Sequence, residues 1–170
     1  MVRFMSVTRN MARTYRAPRA TTRGMIAQGI TEPQILAFGL ISCGLIFVAQ
    51  WPGLSRAAAL DPSITFEQRM GGALFGIMFM LPLLLYGVAG LLQLVLRVLA
   101  GPVQGLHVRL VLFWSLLSVT PLMLVQGGLA ALLGPTQAVT SFGFVVTAVF
   151  LYILGAGLLE VARPRHGEAS

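Results

Sequence analysis

The chain is 170 residues long, carries a formal net charge of +7, and draws 56% of its residues from the hydrophobic set but only 10% from the charged one. About a quarter of a soluble domain's residues are charged, so a chain of mean hydropathy +0.84 has more apolar surface than a watery fold can hide, and lipid must cover part of it. The positive charge does not point to nucleic acid, because the arginines flank apolar stretches without aromatic interleaving; the single cysteine, Cys43, excludes a disulfide scaffold or a thiolate metal site within one chain.

All twelve basic residues are arginine, and ten of them fall on one side of a pattern of four apolar segments. In chain order the charge runs basic, balanced, basic, uncharged, basic, which is the positive-inside signature of a polytopic membrane protein. The expected fold class is therefore all-α: four transmembrane helices preceded by an N-terminal amphipathic interfacial helix. Arginine in place of lysine, with abundant Ala, Leu and Gly, suggests a GC-rich bacterial genome. A bacterial inner membrane with both chain ends cytoplasmic is the expected location.

Residues 1–33 form a basic lead, with Arg3, Arg9, Arg13, Arg16, Arg19 and Arg23 against Glu32. At about 100° per residue, Val7, Met11, Thr14 and Tyr15 share one side of a helix, while Arg9, Arg13 and Arg16 cluster opposite. Ser6 or Thr8 is a candidate cap, and Pro18 should end or kink the helix. Such a helix lies in the headgroup plane, with Tyr15 at the interface.

The transmembrane domain is expected over residues 34–160. Its first span runs over 34–51, opened by Pro33 and closed at the far interface by Trp51 and Pro52. Ala57-Ala58-Ala59 resembles a signal-peptide cleavage site, but the basic lead is too long and three more spans follow. Residues 52–69 make an outer loop in which Arg56 and Arg69 balance Asp61 and Glu67, and Thr65 with Gln68 forms a capping-box pattern. The second span, 70–96, lies between arginines whose helical separation of roughly 40 Å exceeds a hydrocarbon core of about 30 Å, which calls for tilt, a bend at Pro82 or snorkelling.

Arg97, His107 and Arg109 surround a short connection in which Gly101-Pro102 breaks the helix and Gly105 permits a turn. The third span covers 106–133 and contains Ser115, Ser118, Thr120, Pro121 and Gln126. A gap around Gly134-Pro135-Thr136 leads to the fourth span, 138–159. Residues 161–170 form a basic cytoplasmic tail with Arg163 and Arg165.

No charged residue lies near the middle of a span, where one would mark transport, proton relay or sensing. Glu160 sits at the inner edge of the fourth span and is expected to pair locally with Arg163. His107 reads as an interfacial histidine beside Arg109. Its only histidine companion is His166 in the tail, and two ligands at uncertain separation do not make a metal site; no span offers a central axial ligand for haem. Ser115, Ser118 and Thr120 have no histidine at their depth, so they read as interhelical hydrogen-bonding groups or as donors to carbonyls freed by Pro121 rather than as nucleophiles. No catalytic residue, metal ligand or cofactor is expected. Arg9, Arg13, Arg16, Arg97 and Arg109 are the candidate contacts to anionic lipid headgroups. Gly39, Gly72, Gly76, Gly87 and Gly90 are the candidate packing positions, where small residues let helices approach, within the chain in the first instance.

The stretch Leu91–Leu124 pairs an apolar helix ending in LAGPVQG with a helix bearing His107, Arg109 and a mid-span Pro121. Together with the basic lead, it resembles bacterial members of the Yip (Ypt-interacting protein) family over about residues 6–160. The Asp-Leu-Tyr-Gly-Pro motif and five spans of eukaryotic members have no counterpart here, so no functional residue transfers. The resemblance implies an all-helical, non-enzymatic membrane protein. The leading functional expectation is a non-catalytic inner-membrane protein that works through helix packing and a basic cytoplasmic face, with the bilayer, anionic lipids, other membrane proteins or its own copies as partners. Alternatives are a small channel or transporter lined by Gln93, Ser118 and Gln126, or an accessory subunit of a larger membrane complex.

Overall fold

The computed structural model describes residues 4–163, with side chains from Thr8 onward. The regular elements are all helices: α1 (Phe4–Arg16), α2 (Pro18–Ala27), α3 (Glu32–Leu60), α4 (Phe66–Phe75), α5 (Leu81–Ala100), α6 (Gly105–Leu133) and α7 (Gln137–Val161). A π-helical segment, Gly76–Met80, runs α4 into α5 as one rod of 35 residues. Four helices are thus long and apolar enough to cross a bilayer, with mean hydropathies between 1.8 and 2.3 over their most apolar stretches. Arg3 and residues 164–170, with Arg165 and His166, lie outside the described residues.

Helix boundaries follow local chemistry. Pro18 opens α2, where its missing N–H costs nothing, and ends α1 at Arg16. Ser6 and Thr8 both fall inside α1, so neither caps it. In α3 the Gln34 side chain accepts the Thr31 N–H at 3.0 Å, and Glu32 sits in the first turn, where its charge suits the helix dipole. The Thr65–Gln68 capping box is formed in both directions, at 3.1 and 3.3 Å. Positive-φ glycines, Gly101 at 91° and Gly134 at 72°, end α5 and α6.

The first long helix does not stop at Trp51 and Pro52. It carries Pro52 inside it and continues to Leu60, because Arg56 and the alanines that follow are strong helix formers. The expected outer loop shrinks to the turn between Asp61 and Thr65. There Arg69 donates to the Asp61 carboxylate at 2.9 Å and to the Ile64 carbonyl at 3.2 Å. Arg56 instead reaches α6: its Nη1 donates to the Ala131 carbonyl at 2.9 Å, placing a cation on the negative end of that helix.

The two intramembrane prolines are handled differently. Pro82 cannot donate to the Met78 carbonyl, and the chain answers one turn earlier with the π segment, in which the Leu81 N–H bonds to Gly76 five residues back. Pro121 frees the Leu117 carbonyl, and the Thr120 hydroxyl donates to it at 2.8 Å.

The centre of the molecule is α6. From Val108 to Thr120 every residue except Arg109 is buried, so this stretch is enclosed on all faces. It packs most extensively on α3, then on α7 and α5, and the N-terminal helices complete the wall. The α3–α6 seam is set by small residues. A Cβ at Gly39 would lie 2.6 Å from the Phe113 ring, and one at Gly127 would lie 1.9 Å from the Ala49 carbonyl oxygen. Phe38 meets Trp114 edge-on at 5.4 Å between ring centroids, and Tyr86 tilts against Phe113 at 5.2 Å. By contrast, α4–α5 and α7 turn broad apolar faces outward, with Phe79, Leu83, Phe144 and Leu151 all more than half exposed. Lipid is the solvent such faces require.

Candidate functional site

The charged end of the bundle gathers the start of α3, the start of α6, the end of α7 and both N-terminal helices. Four contacts fasten the N-terminal pair to the bundle. Trp114 Nε1 donates to the Thr14 hydroxyl at 3.0 Å, and that hydroxyl donates in turn to the Asn10 carbonyl at 2.7 Å. The Tyr15 hydroxyl donates to the carbonyl of Ser118, near the midpoint of α6, and partial burial pushes the Tyr15 hydroxyl pKa up by disfavouring its charged form. Thr22 packs where Gly157 leaves room beside Val111. Arg23 Nε donates to Glu160 at 2.7 Å.

This docking decides which way the arginines face. Met11 and Thr14 turn inward, while Arg9, Arg13, Arg16 and Arg19 are exposed. The inward side is the Met11–Thr14–Tyr15 side read from the helical wheel; the side chain of Val7 lies outside the described residues. Tyr15 is committed to a hydrogen bond with α6, so its ring anchors α1 to the bundle. Arg97 is exposed near the end of α5, beside exposed Val98 and Leu99.

Arg109 departs from the headgroup reading. Its Nη2 donates to Glu32 at 3.0 Å, its Nε is enclosed without a hydrogen-bond partner, and the Tyr86 hydroxyl donates to the other Glu32 oxygen at 3.4 Å. Arg109 therefore ties α6 to the first turn of α3. Glu160 also departs from a purely local role: Arg163 lies 3.8 Å away, too far for a hydrogen bond, whereas Arg23 from α2 holds the carboxylate directly. The Glu160 side chain is only 8% exposed, which is the burial expected of a carboxylate that needs a cation from another element.

Of the five glycines singled out by spacing, Gly39 packs on Phe113 and the other four do not pack within the chain. A Cβ at Gly72, Gly76, Gly87 or Gly90 would meet nothing within 4 Å. The close approaches fall instead at Gly105, against the Gln93 side chain, at Gly127 against Ala49, at Gly143 against the Gln126 amide and at Gly157 against Val111. Only the Gly39–Cys43 spacing lies on a face that the tertiary structure buries.

The polar residues of a channel reading do not converge. The Gln93 side chain of α5 lies against Gly105 at the start of α6, Ser118 is buried with its Oγ lacking a partner, and Gln126 faces Gly143. A groove of about 350 Å³ beside Gln126 is lined mostly by Ile46, Ala49, Leu54 and Met123, with Gln50. Among the described residues no three of His, Cys, Asp and Glu gather as a metal-holding group. His107 is half-buried in the first turn of α6. Comparison with protein-family models, with curated proteins and with solved structures finds no match in any of the three.

A second groove, of about 500 Å³, lies where α1 meets α2. Arg16, Ala17, Pro18, Arg19 and Ala20 form one wall, and Tyr152, Ala156 and Leu159 of α7 form the other.

Proposed function

We propose that this protein is a non-catalytic, Yip-like membrane organiser. Its N-terminal helix pair is a fixed basic wedge that holds anionic lipid against the bundle, and its outward apolar helices meet lipid and neighbouring membrane proteins. The observation that carries this reading is the docking of α1 and α2: Thr14, Tyr15 and Arg23 hold the pair to α6 and α7, which leaves Arg9, Arg13, Arg16 and Arg19 exposed. A helix with arginines on one side and packed apolar residues on the other suits the headgroup boundary, and each such charge near an anionic surface contributes about 1 kcal/mol of attraction. The positive-inside bias supports a cytoplasmic position for this end of the bundle, facing an anionic leaflet.

The test is the lipid carried by the full chain when it is cut from mixed phosphatidylglycerol–phosphatidylcholine membranes into polymer-bounded discs. Wild-type discs should be enriched in phosphatidylglycerol relative to the parent membrane, and the R9E/R13E/R16E variant should lose the enrichment. Equal compositions for the two would overturn the reading.

A further inference from the structure

The groove at the α1–α2 elbow combines two properties that one ligand class satisfies together. Arg16 and Arg19 line its N-terminal wall, and its α7 wall is formed by Tyr152, Ala156 and Leu159. Neither arginine takes part in an ion pair among the described residues. Glu160, the acid whose field reaches Arg19, is already held by Arg23. Both groove arginines are thus exposed cations outside any ion pair among the described residues, and a guanidinium fork matches the oxygens of a phosphate.

Depth in the bilayer singles out the occupant. A hydrocarbon core of about 30 Å, counted from Gln137, extends about twenty residues along α7 at 1.5 Å per residue. That ends inside the stretch Tyr152–Leu159 that forms the groove wall. The groove thus straddles the level where acyl chains give way to phosphates, with apolar side chains on one wall and cations on the other. Its volume of about 500 Å³ lies in the range of defined small-molecule sites, about 300–1,000 Å³.

We infer that the α1–α2 elbow is a specific site for one anionic phospholipid, its phosphate held by Arg16 and Arg19 and the upper part of an acyl chain lying along Tyr152 and Ala156. This rests on the proposal that the basic end meets anionic lipid, and sharpens it from a diffuse charged surface to a single shaped groove. The arginines supply headgroup selectivity and the α7 face supplies the apolar contact, so both walls are needed.

The experiment is native mass spectrometry of the full-length protein released from micelles containing equal phosphatidylglycerol and phosphatidylcholine of identical acyl chains. The wild type should retain one phosphatidylglycerol and discriminate against phosphatidylcholine. Loss of charge-assisted hydrogen bonds in R16Q/R19Q should cut retention about tenfold or more. A156W, which fills the groove without touching a charge, should do the same, as should A20W, placed on exposed α2 to guard against misfolding of the α7 variant. If A156W and A20W hold phosphatidylglycerol as the wild type does while R16Q/R19Q releases it, the shaped site is overturned and the basic-surface reading survives. If the wild type retains the two lipids equally, headgroup recognition at the elbow is overturned.

Discussion

Trp114 and Thr14, a hundred residues apart in sequence, share a hydrogen bond of 3.0 Å inside the protein. Both side chains are nearly inaccessible, at 3% and 1% exposure. The indole N–H needs an acceptor in this dry setting, and the threonine hydroxyl supplies one while donating its own hydrogen bond to the Asn10 carbonyl. The bond makes the basic N-terminal segment part of the bundle, so its arginines hold fixed positions.

Replacing Trp114 with Phe keeps the ring against Phe38 but removes the donor. Interhelical hydrogen bonds in membrane proteins contribute about 0.6 kcal/mol on average and up to about 1.7 kcal/mol, so W114F should loosen the α1–α2 pair by about 1 kcal/mol. Limited trypsin digestion at Arg13, Arg16 and Arg19 in mild detergent should then run about fivefold faster than in the wild type. An unchanged rate would show that the pair is not held through this contact.

The Arg23–Glu160 pair is asymmetric, with side-chain exposures of 65% and 8%. Solvent screens Arg23, so the pair itself adds little. Removing the arginine, however, leaves a nearly buried carboxylate with only Arg163 at 3.8 Å. R23Q should therefore lower the unfolding temperature more than R23Q/E160Q does, with non-additive single effects in a double-mutant cycle. Additive single effects would contradict this.

Substitutions at packed and unpacked glycines should behave oppositely. G127A drives a methyl into the Ala49 carbonyl, 1.9 Å away on backbone that cannot swing aside, and should cost about 2 kcal/mol by overpacking. G72A or G76A meets no atom, removes a weak helix former, and should leave the unfolding temperature unchanged or slightly raised. Equal losses at the two places would refute the α3–α6 seam described above.

That contrast also shows what sequence could reveal. Hydropathy and arginine placement mark four long apolar helices and a basic amphipathic lead, because burial in lipid leaves a signal in composition itself. The inward side of α1 was visible in Met11, Thr14 and Tyr15, as was the Thr65–Gln68 cap. Which glycines pack was not visible: Gly72 and Gly76 have the spacing of a packing motif, but only tertiary placement tells whether a neighbour faces them. The continuation of α3 past Pro52 was hidden because a proline inside a helix and a proline ending one look alike in sequence. The partner of Glu160 was hidden because Arg163, three residues away, offered a local choice, while Arg23 is 137 residues off. Arg109 looked like one more headgroup contact until Glu32 came beside it.

The short turn opposite the basic end should respond to acid. Hydrogen bonds from the Ser63 hydroxyl and N–H, and then the Arg69 guanidinium, hold the Asp61 carboxyl below the usual carboxylate range. A carboxylate with a lowered native pKa stabilises the folded turn fully above its unfolded pKa of about 3.9, and the contribution is lost as pH falls through the lower native value. The Ser63 amide resonance should therefore titrate with a midpoint below about 3.9, and D61N should abolish the transition. A midpoint at or above the unfolded value would contradict the arrangement.

The central claim is a chain threaded four times through a bilayer, with the Asp61–Thr65 turn on one side and the Gly101–Gln104 connection on the other. Single cysteines at Ser63 and Gln104, in a background where buried Cys43 is replaced by serine, can be probed in intact spheroplasts with a membrane-impermeant maleimide. S63C should react at once, and Q104C should react only after the membrane is opened. Labelling of both positions from the same side of an intact membrane would contradict the account.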